Sequence, residues 1–303
     1  MRSASRASLL LLALSAPTCD TGRTVVLGDL RPPPYRFDVA RPVAELASDA
    51  ESGNPTLTAD LLEIVFTTGR VSGNADVWIA ERANPSLPFD PPTPIDEVNQ
   101  ASFETSAAIS ADGLTLWFGS DRAGVVGGND IWVSGRATRA SAWSSPVNVV
   151  ALNTTAEDIP RPPGQHGLVM PLASTLATPL NYQTYLATRP SVGAPFGRPA
   201  VIAELAYPDR STVDAFLTDD GLTLFYASAP LPLTDGGAVP TADLFVAWRR
   251  STSEAFSVTQ PLDDLNTPGD ERDPWLTPDG RTLYFTSDRG GVLSIYTAAT
   301  RPR

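Results

Sequence analysis

The chain has 303 residues, enough for two ordinary domains or one large repeat domain, and its 42% hydrophobic content can bury a sizeable core. Its formal charge of −12 argues against nucleic acid, whose phosphates need a basic face. All 22 basic residues are arginine, which excludes Schiff-base lysine and P-loop chemistry; Cys19 and His166 are the only thiol and imidazole, so no intrachain disulfide, no Cys/His metal site and no cofactor are expected.

In chain order, residues 1–19 read as a signal peptide: Arg2 and Arg6 precede a leucine-rich run over residues 7–14, too short to span a bilayer. Cys19, directly after it, resembles the lipidation site of bacterial lipoproteins, with Ala16 and Thr18 where that family usually carries Leu and a smaller residue. Cleavage after Ala16 is the alternative, disfavoured by Pro17 in the next position. The resemblance implies export, a membrane anchor through lipid at Cys19 or a periplasmic location, and no spanning segment. Residues 20–35, rich in proline, read as an extended tether.

From residue 36 onward one pattern recurs five times. An acidic residue leads to a turn of Asp-Gly type, an apolar-aromatic strand, an Asp-Arg loop with glycines, and a third strand ending in arginine. The clearest copies are Glu104 through Asp112-Gly113 to Trp117-Phe118 and Asp121-Arg122, and Glu271 through Asp279-Gly280 to Tyr284-Phe285 and Asp288-Arg289. Turn positions 60, 112, 166, 220 and 279 give a period of 52 to 59 residues, somewhat long for a four-stranded propeller blade. Asp-Gly between apolar runs is a hairpin signal because both residues tolerate positive φ. A fourth segment follows the third strand in four copies, as in Phe196 to Leu205, and the fifth copy lacks it. Residues 37–46 have the same form and stand before the first copy. The expected fold is all-β: a five-bladed β-propeller over 36–303, its N-terminal strand closing the last blade and removing two sheet edges.

These repeats resemble the TolB-type (PD40, WD40-like) propeller repeat, whose hallmark is Pro-Asp-Gly before an aromatic strand and Ser-Asp-Arg after it. Pro278-Asp279-Gly280 with Ser287-Asp288-Arg289, and Ala111-Asp112-Gly113 with Ser120-Asp121-Arg122, carry the likeness. It implies a propeller fold and says little of function, since that family includes scaffold, partner-binding and protease-associated members.

Little chemistry stands out. The recurring Asp-Gly and Asp-Arg positions are expected to be structural, because a site should break the repeat whereas these define it. His166 replaces the turn aspartate of the worn third copy and reads as a solvent-exposed turn residue, with no Gly-x-Ser-x-Gly elbow beside it. Ser110 to Trp117 faintly matches a sialidase Asp-box, with its glycine one place early and no arginine triad to accompany it. The remaining candidates are Glu104, Asp158 and Glu271, eight residues before their turns, and Asp214 and Asp273, six before theirs. Converging at one mouth of the channel, the five would make an acidic rim for a cation, a basic peptide or a sugar. Alternatively each carboxylate caps backbone N–H groups or pairs with an arginine. The expected function is a non-catalytic cell-envelope module that binds a protein or glycan partner; the rival is a five-bladed glycoside hydrolase working with two channel carboxylates.

Overall fold

The computed structural model describes residues 35–301 apart from 72, 178–180 and 232–239; the signal peptide, Cys19 and nearly all of the tether lie outside the described residues. Strand β1 (Arg41–Pro42) precedes the repeats. The first blade holds β2 (Ser52–Leu57), β3 (Glu63–Thr68), β4 (Asp76–Glu81) and β5 (Thr93–Pro94). The second holds β6 (Glu104–Ile109), β7 (Thr115–Ser120), β8 (Asp130–Gly135) and β9 (Val147–Asn148). The third, β10 (Asp158–Pro160), β11 (Val169–Ser174), β12 (Gln183–Thr188) and β13 (Ala200–Val201), has the shortest inner strand. The fourth holds β14 (Arg210–Leu217), β15 (Thr223–Pro230), β16 (Asp243–Trp248) and β17 (Val258–Pro261). The fifth takes β18 (Glu271–Leu276), β19 (Thr282–Ser287) and β20 (Ser294–Ala299) from the C-terminus and β1 as its outer strand, in the order β1-β20-β19-β18. Five four-stranded antiparallel sheets make a five-bladed β-propeller closed by its N-terminal strand.

Second strands such as Leu116-Trp117-Phe118 are apolar without alternation because both of their faces are buried. Consecutive side chains point to opposite faces of a strand, so Phe118 enters the core shared with the first blade and Trp117 the core shared with the third. Tyr284 and Phe285 divide in the same way between the cores on either side of the fifth blade. One apolar cluster fills each of the five gaps between neighbouring blades, which is how sheets that cannot bury both faces alone become stable in a ring.

The turns are built by their aspartates. Oδ1 of Asp60, Asp112, Asp220 and Asp279 accepts a hydroxyl hydrogen bond from Thr58, Ser110, Thr218 and Thr277, and another from the backbone N–H two residues on. Gly113, Gly221 and Gly280 then take φ of 77°, 69° and 69°, a region that L side chains avoid. The arginine ending each third strand braces that turn. Nε of Arg82, Arg136, Arg189 and Arg249 donates to the carbonyls of Leu61, Gly113, Gly167 and Gly221, while each guanidinium lies 4.2–4.5 Å from the ring centre of Phe89, Trp143, Phe196 or Phe256. In the fifth blade Thr300 takes this role, donating Oγ1 to the Gly280 carbonyl.

Candidate functional site

Each inner strand carries a residue six places before its turn: Asn54, Ser106, Pro160, Asp214 and Asp273. In four blades the pairing of first and second strands shifts register at this point, and Asn54, Ser106, Asp214 and Asp273 adopt φ of 54°, 52°, 59° and 57°. A bulge of this kind re-aims a side chain, here toward the axis of the ring. Short polar residues suit it, because Asn and Asp tolerate the left-handed region better than other non-glycine residues.

The axial residues bond across blades. Asp273 accepts from the Asn54 N–H (2.9 Å), from Asn54 Nδ2 (2.5 Å) and from Thr286 Oγ1 (2.8 Å). Asn54 Oδ1 in turn accepts from the Ser106 N–H and Thr67 Oγ1. The third blade breaks the pattern: Pro160 cannot donate, and the next residue, Arg161, sends its side chain across the channel. Its Nη1 lies 3.4 Å from Asp273 Oδ1 and its Nη2 donates to the Pro274 carbonyl; the residue is 1% exposed. Asp214 lies against Asp273. Burial first, and then the charge of Asp273, raise the Asp214 pKa to about 7, with Arg161 and Arg272 opposing the shift.

Above this layer the channel opens into a cavity of about 920 Å³, with Glu51, Phe103, Glu157 and Tyr182 among its walls. Tyr182 donates its hydroxyl to Glu157 at 2.6 Å, and Phe103 is 44% exposed. At the opposite end, a smaller cavity of about 380 Å³ is lined by Tyr35, Leu57, Phe216 and Trp275 together with turn residues.

The structure divides the five carboxylates expected at a rim. Asp214 and Asp273 meet at the axis, both almost wholly buried. Glu104, Asp158 and Glu271 do not join them: they are 0% exposed and sit inside their own blades. Glu104 accepts from the Gln100 N–H, from the hydroxyls of Ser102 and Ser120, and from Arg122. Glu271 accepts from the Thr267 N–H, from the hydroxyls of Thr267 and Ser287, and from Arg289. Asp158 accepts from the Thr154 N–H and hydroxyl. A solvent-facing rim of five is therefore corrected to two axial carboxylates and three internal ones. In the bulged blades the reason is the register shift, which falls between offsets seven and four, takes in the residue at offset six and breaks the alternation that would keep offsets eight and six on one face; Asp158 lies in the blade without such a shift.

Arg161 and Asn54 belong to the axial layer, and the sequence reading did not single them out. Asn54 shares the six-residue offset of Asp214 and Asp273, which was the available signal. His166 is a turn residue with 85% of its side chain exposed, 4.0 Å from Asp219. Among the described residues no group of three or more His, Cys, Asp or Glu is placed to hold a metal ion.

Fold and site together define a five-bladed β-propeller whose axis is occupied by an internal polar layer. No family model matches this sequence, and no curated protein matches it. Among solved structures the chain is similar to the endo-arabinase of Bacteroides thetaiotaomicron, at 14% identity over 88% of this chain and 98% of that one, with a TM-score of 0.55. It is similar to the α-L-arabinofuranosidase of Podospora anserina in complex with cellotriose, at 10% identity, 88% and 97% coverage and a TM-score of 0.54. A putative TolB from Agrobacterium tumefaciens aligns at 11% identity, 84% and 78% coverage and a TM-score of 0.49. At these identities the likeness is one of fold alone.

Proposed function

We propose that this chain is a non-catalytic, TolB-type propeller of the bacterial cell envelope that binds a protein or glycan partner at the wide mouth of its channel. The observation that carries this reading is the state of the axial carboxylates. Asp273 is saturated by Asn54, Thr286 and Arg161, which leaves it no lone pair for a substrate, and Asp214 is almost wholly buried against it. The groups that remain open to a partner are peripheral: the carboxylates of Glu51 and Glu157 with the rings of Phe103 and Tyr182, a set suited to a cationic peptide or a sugar face.

Changing Glu51 and Glu157 to Gln and Phe103 to Ala together should reduce capture of envelope proteins or glycans by at least about tenfold, given hot-spot energies of about 2 kcal/mol. The melting temperature should stay near that of the parent. Equal capture by parent and triple variant would remove the mouth from the function.

A second reading, glycoside hydrolysis, is favoured by one observation: a carboxyl with pKa raised to about 7 at the floor of a 920 Å³ cavity has the protonation a general acid needs. Arabinan, suggested by the two arabinose-directed enzymes of similar fold, is the substrate to try. Hydrolysis by the parent that vanishes in Asp214→Asn would establish the enzyme and overturn the binding-only reading.

Localisation belongs to the same proposal. Lipid at Cys19 anchors the domain, so the parent should fractionate with membranes and Cys19→Ala should be recovered in the soluble fraction. A parent protein found wholly soluble, with its mature N-terminus elsewhere, refutes the anchor.

A further inference from the structure

A second set of arginines recurs two residues beyond the end of the second strand. Arg70, Arg122 and Arg289 lie 4.8–5.2 Å from the centres of two rings each: Phe66 and Trp78, Phe118 and Trp132, Phe285 and Tyr296. Nη2 of each donates to a carbonyl 24 residues earlier, that of Leu46, Val98 or Leu265, at 2.7, 2.7 and 2.5 Å. In the second and fifth blades the same guanidinium pairs with the carboxylate that opens the inner strand, Glu104 at 3.0 Å and Glu271 at 3.2 Å. The first blade has Ser52 in place of the carboxylate. The fourth has Thr212 there and Pro230 at the arginine position, and its cation comes from Arg210, 5.5 Å from the Phe245 ring.

The third blade keeps the receptor and lacks the cation. Leu176 stands at the arginine position, while the carboxylate is retained as Asp158, opposite Ser174 as Glu104 is opposite Ser120. The third-strand ring is retained as Tyr185, which faces Leu172 in the register that pairs Phe118 with Trp132. Leu152, 24 residues before Leu176, ends the same turn as Val98, its N–H bonded to the Val149 carbonyl as that of Val98 is to Ile95.

Where the arginine side chain would lie there is a cavity of about 420 Å³, lined by Asp158, Leu172, Leu176 and Tyr185 and by Ala151 and Asn153 on either side of Leu152. Asp158 is 0% exposed. Its Oδ2 accepts from Thr154, and among the described residues its Oδ1 has no partner at hydrogen-bond geometry. Burial, as the largest influence, raises its pKa, and the hydroxyls of Ser174 and Thr154 pull the other way. A buried carboxylate oxygen whose hydrogen-bonding capacity is not filled is costly, and a cation in the cavity would remove that cost.

We propose that the third blade holds a binding site for a guanidinium group, formed where the repeat's own arginine is missing. The incoming cation lies against Tyr185, donates to Asp158 Oδ1, and reaches the carbonyl at the end of the Val149–Leu152 turn. Among the described residues Arg198, exposed at the outer edge, is the one cationic side chain in the lining and the internal competitor for the place. The site shares no lining residue with the channel mouth, so it stands or falls independently of the function proposed above.

The test is calorimetric titration of the whole protein with N-propylguanidinium at millimolar concentration, with a peptide carrying one arginine, and with the same peptide carrying citrulline. Saturable binding of propylguanidinium or of the arginine peptide is expected, with the citrulline peptide at least about tenfold weaker than its arginine counterpart, the loss of one or two charge-assisted hydrogen bonds. Tighter binding of the peptide than of propylguanidinium identifies a protein partner; the reverse order identifies a small free cation. Leu176→Arg restores the repeat and should abolish binding while raising the melting temperature, and Asp158→Asn should weaken binding by about tenfold or more. Arg198→Ala should bind at least as tightly as the parent. No binding by the parent, or undiminished binding by a folded Leu176→Arg variant, overturns the proposal.

Discussion

Deletion of residues 37–46 is expected to lower the melting temperature by about 10–20 °C, or to leave a chain that does not fold at all. The segment contributes more than the two paired residues of β1. Phe37 is 1% exposed in the core between the fourth and fifth blades, and Leu46 is 1% exposed between the fifth and first. Truncating such side chains costs about 3–5 kcal/mol for Phe and about 2–5 for Leu, a large share of a typical stability of about 5–15 kcal/mol. The Asp38 and Val43 N–H groups bond the Ala299 and Ile295 carbonyls, and Arg70 loses its shortest hydrogen bond when Leu46 goes. In a chain of this size about 5 kcal/mol corresponds to the stated shift. Thermal denaturation followed by circular dichroism checks it, with Phe37→Ala as the milder companion; an unchanged midpoint in the deletion would mean that β1 does not hold the ring shut.

Arg161→Leu is expected to destabilise the protein by about 3–5 kcal/mol, because it leaves buried Asp273 without its paired cation. The loss should grow with pH. Asp214 has a folded pKa of about 7, above its ordinary unfolded value of 3.8, so the native state holds the proton more tightly than the unfolded chain does. The stability this group contributes is complete below the unfolded value and is lost as pH rises through about 7. Removing Arg161 takes away a charge that favours ionised Asp214, so the variant should be nearer the parent at pH 5 than at pH 8. Adding Asp214→Asn deletes the titration and should recover part of the loss at pH 8. Urea denaturation at both pH values measures all three; a penalty independent of pH would dissociate Arg161 from the carboxylate pair.

The architecture was legible in the sequence because each repeat spells its own turn. Asp112-Gly113 and Asp279-Gly280 use side-chain and backbone chemistry that local spacing reveals, and the match of residues 37–46 to the later outer segments spells the closure. The carboxylates were not legible at the same level. Glu271 and Asp273 differ by two positions, which in a regular strand means one face, and only the register shift between Arg272 and Trp275 separates them. Such a bulge has no residue signature beyond tolerance of positive φ, shared here by Asn54, Ser106, Asp214 and Asp273. Arg161 was hidden for a further reason: its partner Asp273 is two blades away, a pairing that no repeat alignment predicts.

The pairing of Arg41 with Thr297 also sets a clock on assembly. Four blades are made from neighbouring stretches of chain and can form in turn as each is completed, whereas β1 must wait for a partner about 250 residues downstream. Such a distant contact is slow to find and is made last. Until the final strand arrives, Phe37 and Leu46 lack the fifth-blade half of the cores they complete, and β1 has no strand to pair with. Joining the two ends is therefore the commitment step, and any chain cut short before β20 carries an opening strand with no partner to pair with.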